Sequence, residues 1–189
     1  MKHPFLVGES IYLRGLERED LSGNYFQWFN DYDVCKGNSH GYFPNNLKEM
    51  ESYLDNIYRD NSLLVLAVIC KEDNVHIGNF SLQNIDWISR SAEYAVIFGE
   101  KSYWGRGLAK EASDLLLHHG FVGLNLYRIY CGTFSNNVSM QKLALYMGMK
   151  QEGIRRKAVY KNGRYRDIVE YGILRSEYFE KNGGSDYDI

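Results

Sequence analysis

The chain has 189 residues, 44% hydrophobic and 24% charged, which suits one globular domain with its own core and excludes a disordered chain. Lys and Arg number 22 against 24 Asp and Glu, a net charge of -2, so no basic excess exists to hold a nucleic-acid backbone. The cysteines Cys35, Cys70 and Cys131 lack paired spacing and suit a reducing compartment. The longest apolar run, 63–70, falls far short of the ~20 residues that span a bilayer. With no apolar leader before a small-residue cleavage site, a cytoplasmic protein is expected, with no membrane partner.

Residues 11–16 alternate apolar and polar and predict a first strand. Residues 17–29 mix charge with Leu21, Tyr25, Phe26 and Trp28 and predict one or two short helices. Leu47, Met50, Leu54 and Ile57 then recur at helical spacing. A buried strand is predicted at 63–70, its partner at 76–85, and a further strand at 92–98 beyond a turn. Over 107–119, Leu108, Ala112, Leu115 and Leu116 form the stripe of a helix expected to stop at Gly120. A strand follows at 128–134, then a second amphipathic helix at 137–147 with Met140, Leu143, Ala144 and Met147 on its apolar side. Two final strands, about 150–160 and 165–174, flank Lys161-Asn162-Gly163, a hairpin signal. This order predicts a mixed α/β domain over 10–178, followed by a polar, Gly-rich tail at 179–189 that frays.

The informative segment is Trp104-Gly105-Arg106-Gly107-Leu108-Ala109, between a strand and a helix. Its glycines relax the backbone and remove side chains, so successive N–H groups can converge on an anion. The helix that follows offers unpaired N–H groups, and Arg106 and Lys110 add full charges. A phosphate or diphosphate is the natural guest; a tight turn without a ligand is the bland alternative. The P-loop string is absent, and Lys110 stands where the dinucleotide fingerprint needs its third glycine.

The segment resembles the acetyl-CoA loop of the GNAT acetyltransferase superfamily, [QR]-x-x-G-x-[GA]. Gly107 and Ala109 take its small positions and Trp104 replaces the leading Gln or Arg. Residues 91–98 look like that family's fourth strand, 124–131 its fifth, and 137–149 the helix after it; 152–156 and 162–167 complete the pattern. The likeness extends to the RimJ/RimL-like branch and to spermidine N-acetyltransferases.

The resemblance implies a single α/β (α+β) domain with a mostly antiparallel sheet, helices on both faces, and the fourth and fifth strands splayed apart. It implies acetyl-CoA as co-substrate, its pantetheine arm along Val96, Ile97, Phe98 and Gly99 and its diphosphate on 104–110. Asn137 would bond the arm, although helix capping alone explains an Asn there. The reaction implied is N-acetylation of a primary amine by direct attack on the thioester, with Glu93 the candidate general base. The Tyr that family members use to protonate the thiolate would fall at Ala144, and the Ser of the RimJ/RimL-like branch at Met140, so no general acid is assigned. The missing Tyr counts against a polyamine acceptor, so a protein N-terminal α-amine is narrowly favoured, with a polyamine or an amino sugar as the other options. Segments 26–44, 86–91 and 160–165 are expected over the acceptor, with Trp28, Tyr32 and Trp87 as aromatic contacts to a cationic amine. No grouping of His, Cys and carboxylates predicts a metal, and a homodimer is implied by analogy of architecture alone. The alternative is a non-catalytic acyl-CoA binder, since both usual proton donors are missing.

Overall fold

Residues 1–184 are described by a computed structural model; of the tail expected at 179–189, residues 185–189 lie outside the described residues. Among the described residues eight strands form one sheet, ordered β1-β2-β3-β4-β5-β6-β8-β7. They are β1 (Leu6–Val7), β2 (Ile11–Gly15), β3 (Leu64–Cys70), β4 (His76–Asp86), β5 (Ser91–Ile97), β6 (Arg128–Phe134), β7 (Lys150–Lys161) and β8 (Arg164–Leu174). Every neighbouring pair is antiparallel except β5 and β6.

The run Leu-Val-Leu-Ala-Val-Ile-Cys of β3 is apolar throughout because both faces of the sheet are covered. Leu66, Val68 and Cys70 enter one core with Leu108, Ala112 and Leu116 of α4 (Leu108–His118) and Ala144 of α5 (Val138–Tyr146). Val65, Ala67 and Ile69 enter the other, with Tyr25 and Trp28 of α1 (Tyr25–Trp28) and Met50, Leu54 and Ile57 of α3 (Leu47–Ile57). The short α2 (Tyr32–Cys35) lies between these helices in sequence, and α6 (Arg175–Lys181) follows β8. Among the described residues no helix is long and apolar enough to cross a membrane.

Gly120 does not end α4. The α-helix ends at His118 and the chain runs on through a π-helical turn, His119–Gly123, within which Gly120 is a close-packing residue: a Cβ there would lie 2.8 Å from Ile129 Cδ1. The strand equated with the family's fifth begins at Arg128, four residues beyond the start of 124–131. Neither β1 nor α6 was legible in advance, being too short to show a period.

The sheet divides at its middle. β5 and β6 pair only at Ser91↔Arg128, Ala92↔Ile129 and Glu93↔Tyr130. Beyond that point β5 stays with β4 as far as Asn79↔Ile97, whereas β6 stays with β8 as far as Phe134↔Ile168. Each strand is held by its outer neighbour, and the inner edges part.

Candidate active site

Two hydrogen bonds determine which backbone groups face the parting. Arg128 N–H donates to the Arg90 carbonyl at 3.1 Å, and Gly99 N–H donates to the Ile77 carbonyl at 3.0 Å. Even-numbered residues along β5 therefore turn their N–H and C=O toward β6, and odd-numbered ones toward β4. Past Glu93 there is no β6 to meet them, so the backbone of Val96 and Phe98 faces an open cleft. Gly132, Thr133 and Phe134 form the opposite wall, and the whole cleft has a volume of about 1800 Å³.

One end of the cleft is the glycine turn. Gly105 and Gly107 have φ of 78° and 84°, the left-handed region that a side chain disfavours. A Cβ at either would meet nothing within 4 Å, so the space before the turn is free for a guest. Gly107 is the N-cap of α4 and no side chain caps it, which leaves the first-turn N–H groups of Leu108 and Ala109 directed outward. Trp104, Gly105, Gly107, Leu108, Ala109 and Lys110 line the cleft. Arg106 does not; its guanidinium lies 4.8 Å from the Tyr103 ring centroid. Lys110 stacks on Tyr146 at 4.6 Å. Free N–H groups, an open cradle and an unpaired strand edge together fit the diphosphate and amide-rich arm of coenzyme A.

The other end is built on the opposite face of the sheet. The register places Asn79, Ser81 and Gln83 of β4 beside Ile97, Ala95 and Glu93 of β5. Glu93 stands at the fork itself, on the last rung before the strands part, with one carboxylate oxygen accepting from Asn84 Nδ2 at 2.9 Å. Above this floor stand Tyr25, Phe29, Glu49 and Tyr53. Burial holds the Tyr25 hydroxyl well above its usual pKa, so it stays neutral. The polar floor was missed from the sequence, although one signal was available: Asn79, Ser81 and Gln83 alternate with Gly78, Phe80 and Leu82 in a strand buried on both faces.

The three candidate acceptor aromatics lie outside this cleft. Trp28 is 3% exposed, packed onto Gly99, with its indole N–H on Glu100 at 2.9 Å. Tyr32 is 67% exposed, and Trp87, half-exposed, donates to the Asn61 carbonyl at 3.1 Å. Aromatic content alone did not tell a wall from a core residue. Asn137 lines the cleft with both polar atoms engaged. Its Oδ1 accepts from Met140 N–H at 3.2 Å, capping α5, and its Nδ2 donates to the Gly37 carbonyl at 3.0 Å. Ala144 is fully buried in the core and Met140 is half-buried on the cleft wall. Tyr146 donates its hydroxyl to Asp114 at 2.6 Å and so joins α5 to α4.

Comparison with known proteins agrees with this geometry. Residues 10–150 match the acetyltransferase (GNAT) domain. The chain is 28% identical to the uncharacterized N-acetyltransferase p20 of Bacillus licheniformis, over 92% of this chain and 97% of that one. It is likewise 28% identical to the spermidine N(1)-acetyltransferase of Escherichia coli (strain K12), over 92% and 90%. Among solved structures, spermidine N-acetyltransferase from Vibrio cholerae in complex with CoA and spermine superposes with a TM-score of 0.82 at 28% identity, covering 89% of this chain and 98% of that one. The splayed strands, the glycine cradle and these likenesses converge: the chain belongs to the GNAT acetyltransferase family and is an acetyl-CoA-dependent N-acetyltransferase.

Proposed function

We propose that the acceptor is a primary amine at the end of a slender, cationic molecule of the polyamine class. The observation that carries this reading is the single cleft running from the glycine cradle, past Glu93 at the fork, to a floor and wall bearing Glu49 and aromatic rings. Carboxylates beside π faces suit an ammonium group. The relatives that act on spermidine support the same class.

Acetyl-CoA brings the activated acetyl group. Each residue then has a separate task. The turn at 104–110 holds the diphosphate, and Val96 holds the arm. An alkylamine has a pKa of about 10.4, so it must lose a proton before it can attack. Glu93 takes that proton, directly or through water. A backbone N–H of the unpaired β5 edge stabilises the carbonyl oxygen as charge develops on it, an effect worth about 3 kcal/mol. Apolar Ala144 and Met140 are tolerable because a thiol of pKa about 8.5 leaves as its thiolate near neutral pH.

A second reading, the α-amine of a protein N-terminus, is favoured by Ala144 itself. Such an amine has a pKa of about 8 and needs less help with its proton. Free, buried Cys35, Cys70 and Cys131 suit work in the cytoplasm. Thiol release from acetyl-CoA, measured with polyamines, free-amino peptides and amino sugars, decides among acceptors. Polyamines are expected to turn over fastest, with rates rising with pH. Turnover of peptides alone would replace this reading with the second, and CoA binding without amine-dependent thiol release would point to an acyl-CoA sensor.

A further inference from the structure

We propose that Trp104 is a positioning residue for the co-substrate, tying the diphosphate turn to the gap-facing end of β5 through its indole N–H. Its Nε1 donates to the Phe98 carbonyl at 2.9 Å, and the indole lines the cleft. Phe98 is an even-numbered residue, so its carbonyl faces the parting between β5 and β6. On the far side of the same strand end, Gly99 and Glu100 N–H both donate to the Ile77 carbonyl. The strand end is thus held by β4 on one side and by Trp104 on the other. Other anchors of this loop run elsewhere. The Tyr103 hydroxyl donates to Asp73 in the β3–β4 turn, and Trp28 reaches Glu100 from the α1 face. The Trp104 bond therefore sets the distance between two parts of the co-substrate site, the cradle and the unpaired strand edge. It also takes one lone pair of the Phe98 carbonyl, so the Phe98 N–H and the N–H and C=O of Val96 are the gap-facing groups left for the arm.

Side-chain chemistry accounts for the tryptophan. The family motif carries Gln or Arg at this place. Gln Nε2, Arg Nε and Trp Nε1 are each an N–H donor three bonds beyond Cβ. The substitution changes the scaffold and keeps the donor at the same reach.

The inference rests on this cleft holding coenzyme A, and the test separates the two. CoA is titrated calorimetrically into the wild type and into Trp104→Phe, Trp104→Gln and Trp104→Arg, and acetyl-CoA kinetics are measured for each. Trp104 is 42% exposed, so its replacement leaves the cores intact, and unchanged thermal midpoints verify this. Trp104→Phe is expected to weaken CoA binding and raise KM for acetyl-CoA about three- to tenfold, the worth of one net hydrogen bond, with kcat at saturation retained. Trp104→Gln and Trp104→Arg are expected to restore binding. The proposal is overturned if Trp104→Phe binds CoA like the wild type, or if the Gln and Arg variants bind as weakly as Phe. Absence of heat from the wild type itself would overturn the co-substrate site together with this inference.

Discussion

Glu93 faces Tyr130 across the last rung of the parallel β5–β6 ladder, and one residue later the strands no longer pair. That position sets a carboxylate at the point where a guest between the strands meets the face covered by α1 and α3. Replacing Glu93 by Gln keeps the shape and the Asn84 contact but removes the carboxylate proposed as the base. At pH 7 kcat is expected to fall about 100-fold, with CoA affinity unchanged. The check is a pH–rate profile of both proteins; superimposable profiles would remove Glu93 from proton transfer.

Gly107 offers a test of the cradle in which stability and binding separate. Its φ of 84° costs an ordinary L-residue about 1–2 kcal/mol. Gly107→Ala should therefore lower the thermal midpoint by roughly 2–8 °C in a chain of this size. Asn tolerates the left-handed region better, so Gly107→Asn should lose less stability. Both add a Cβ in the open space before the turn, and both should lose CoA affinity. Calorimetry with CoA checks the second half; wild-type affinity in both variants would show that the diphosphate lies elsewhere.

Asn137 serves two masters, and one substitution tells them apart. Asp caps a helix as well as Asn does, so Asn137→Asp keeps the bond from Met140 N–H and the cap of α5 weakens by no more than about 0.5 kcal/mol. It loses the donor to the Gly37 carbonyl, and the segment around Gly37 and Asn38 is released. Asn137→Ala loses both and costs about 2 kcal/mol. Hydrogen exchange is the measurement: faster exchange near Gly37 in both variants, but weakening of α5 only in Ala.

The acid limit of stability should depend on Asp20. Arg14 binds it in bidentate fashion at 2.8 and 2.6 Å, with both side chains buried. Burial alone would raise the Asp20 carboxyl, but the Arg14 bonds and the Glu17 backbone N–H outweigh it and hold the pKa below the usual value. A folded-state pKa lower than the unfolded value of about 3.9 adds stability above that pH, and this is lost as pH falls through the folded value. Urea denaturation from pH 6 to pH 2 should show the loss. Asp20→Asn should flatten that part of the curve and cost about 3–5 kcal/mol at neutral pH, because Arg14 is then buried without a counter-charge.

Much of the fold was legible from periodicity. The buried run at 63–70, the stripes of α3, α4 and α5, and the Lys161-Asn162-Gly163 hairpin each report local geometry, and each stands within a few residues of its predicted place. The glycine turn was legible for the same reason, since a positive φ and an open cradle depend on residues next to one another.

The end of the cleft beyond the fork was not legible in that way. Trp28 and Phe29 are adjacent aromatics, yet the first lies in the core on Gly99 and the second lines the cleft. Asn137 carries a capping signature in its own sequence, but its second bond reaches Gly37, one hundred positions away. The floor of Asn79, Ser81 and Gln83 lines the cleft only because β5 pairs with β4 and then leaves β6.

What the amino-acid order by itself determined is local: the elements, their sequence, and a turn able to receive an anion. Tertiary structure alone decided where the sheet parts, which carboxylate stands at the fork, and which carbonyl the Trp104 indole meets. The physical reason is that propensity and φ act between chain neighbours, whereas strand pairing and its interruption bring together residues whose separation carries no periodic signal.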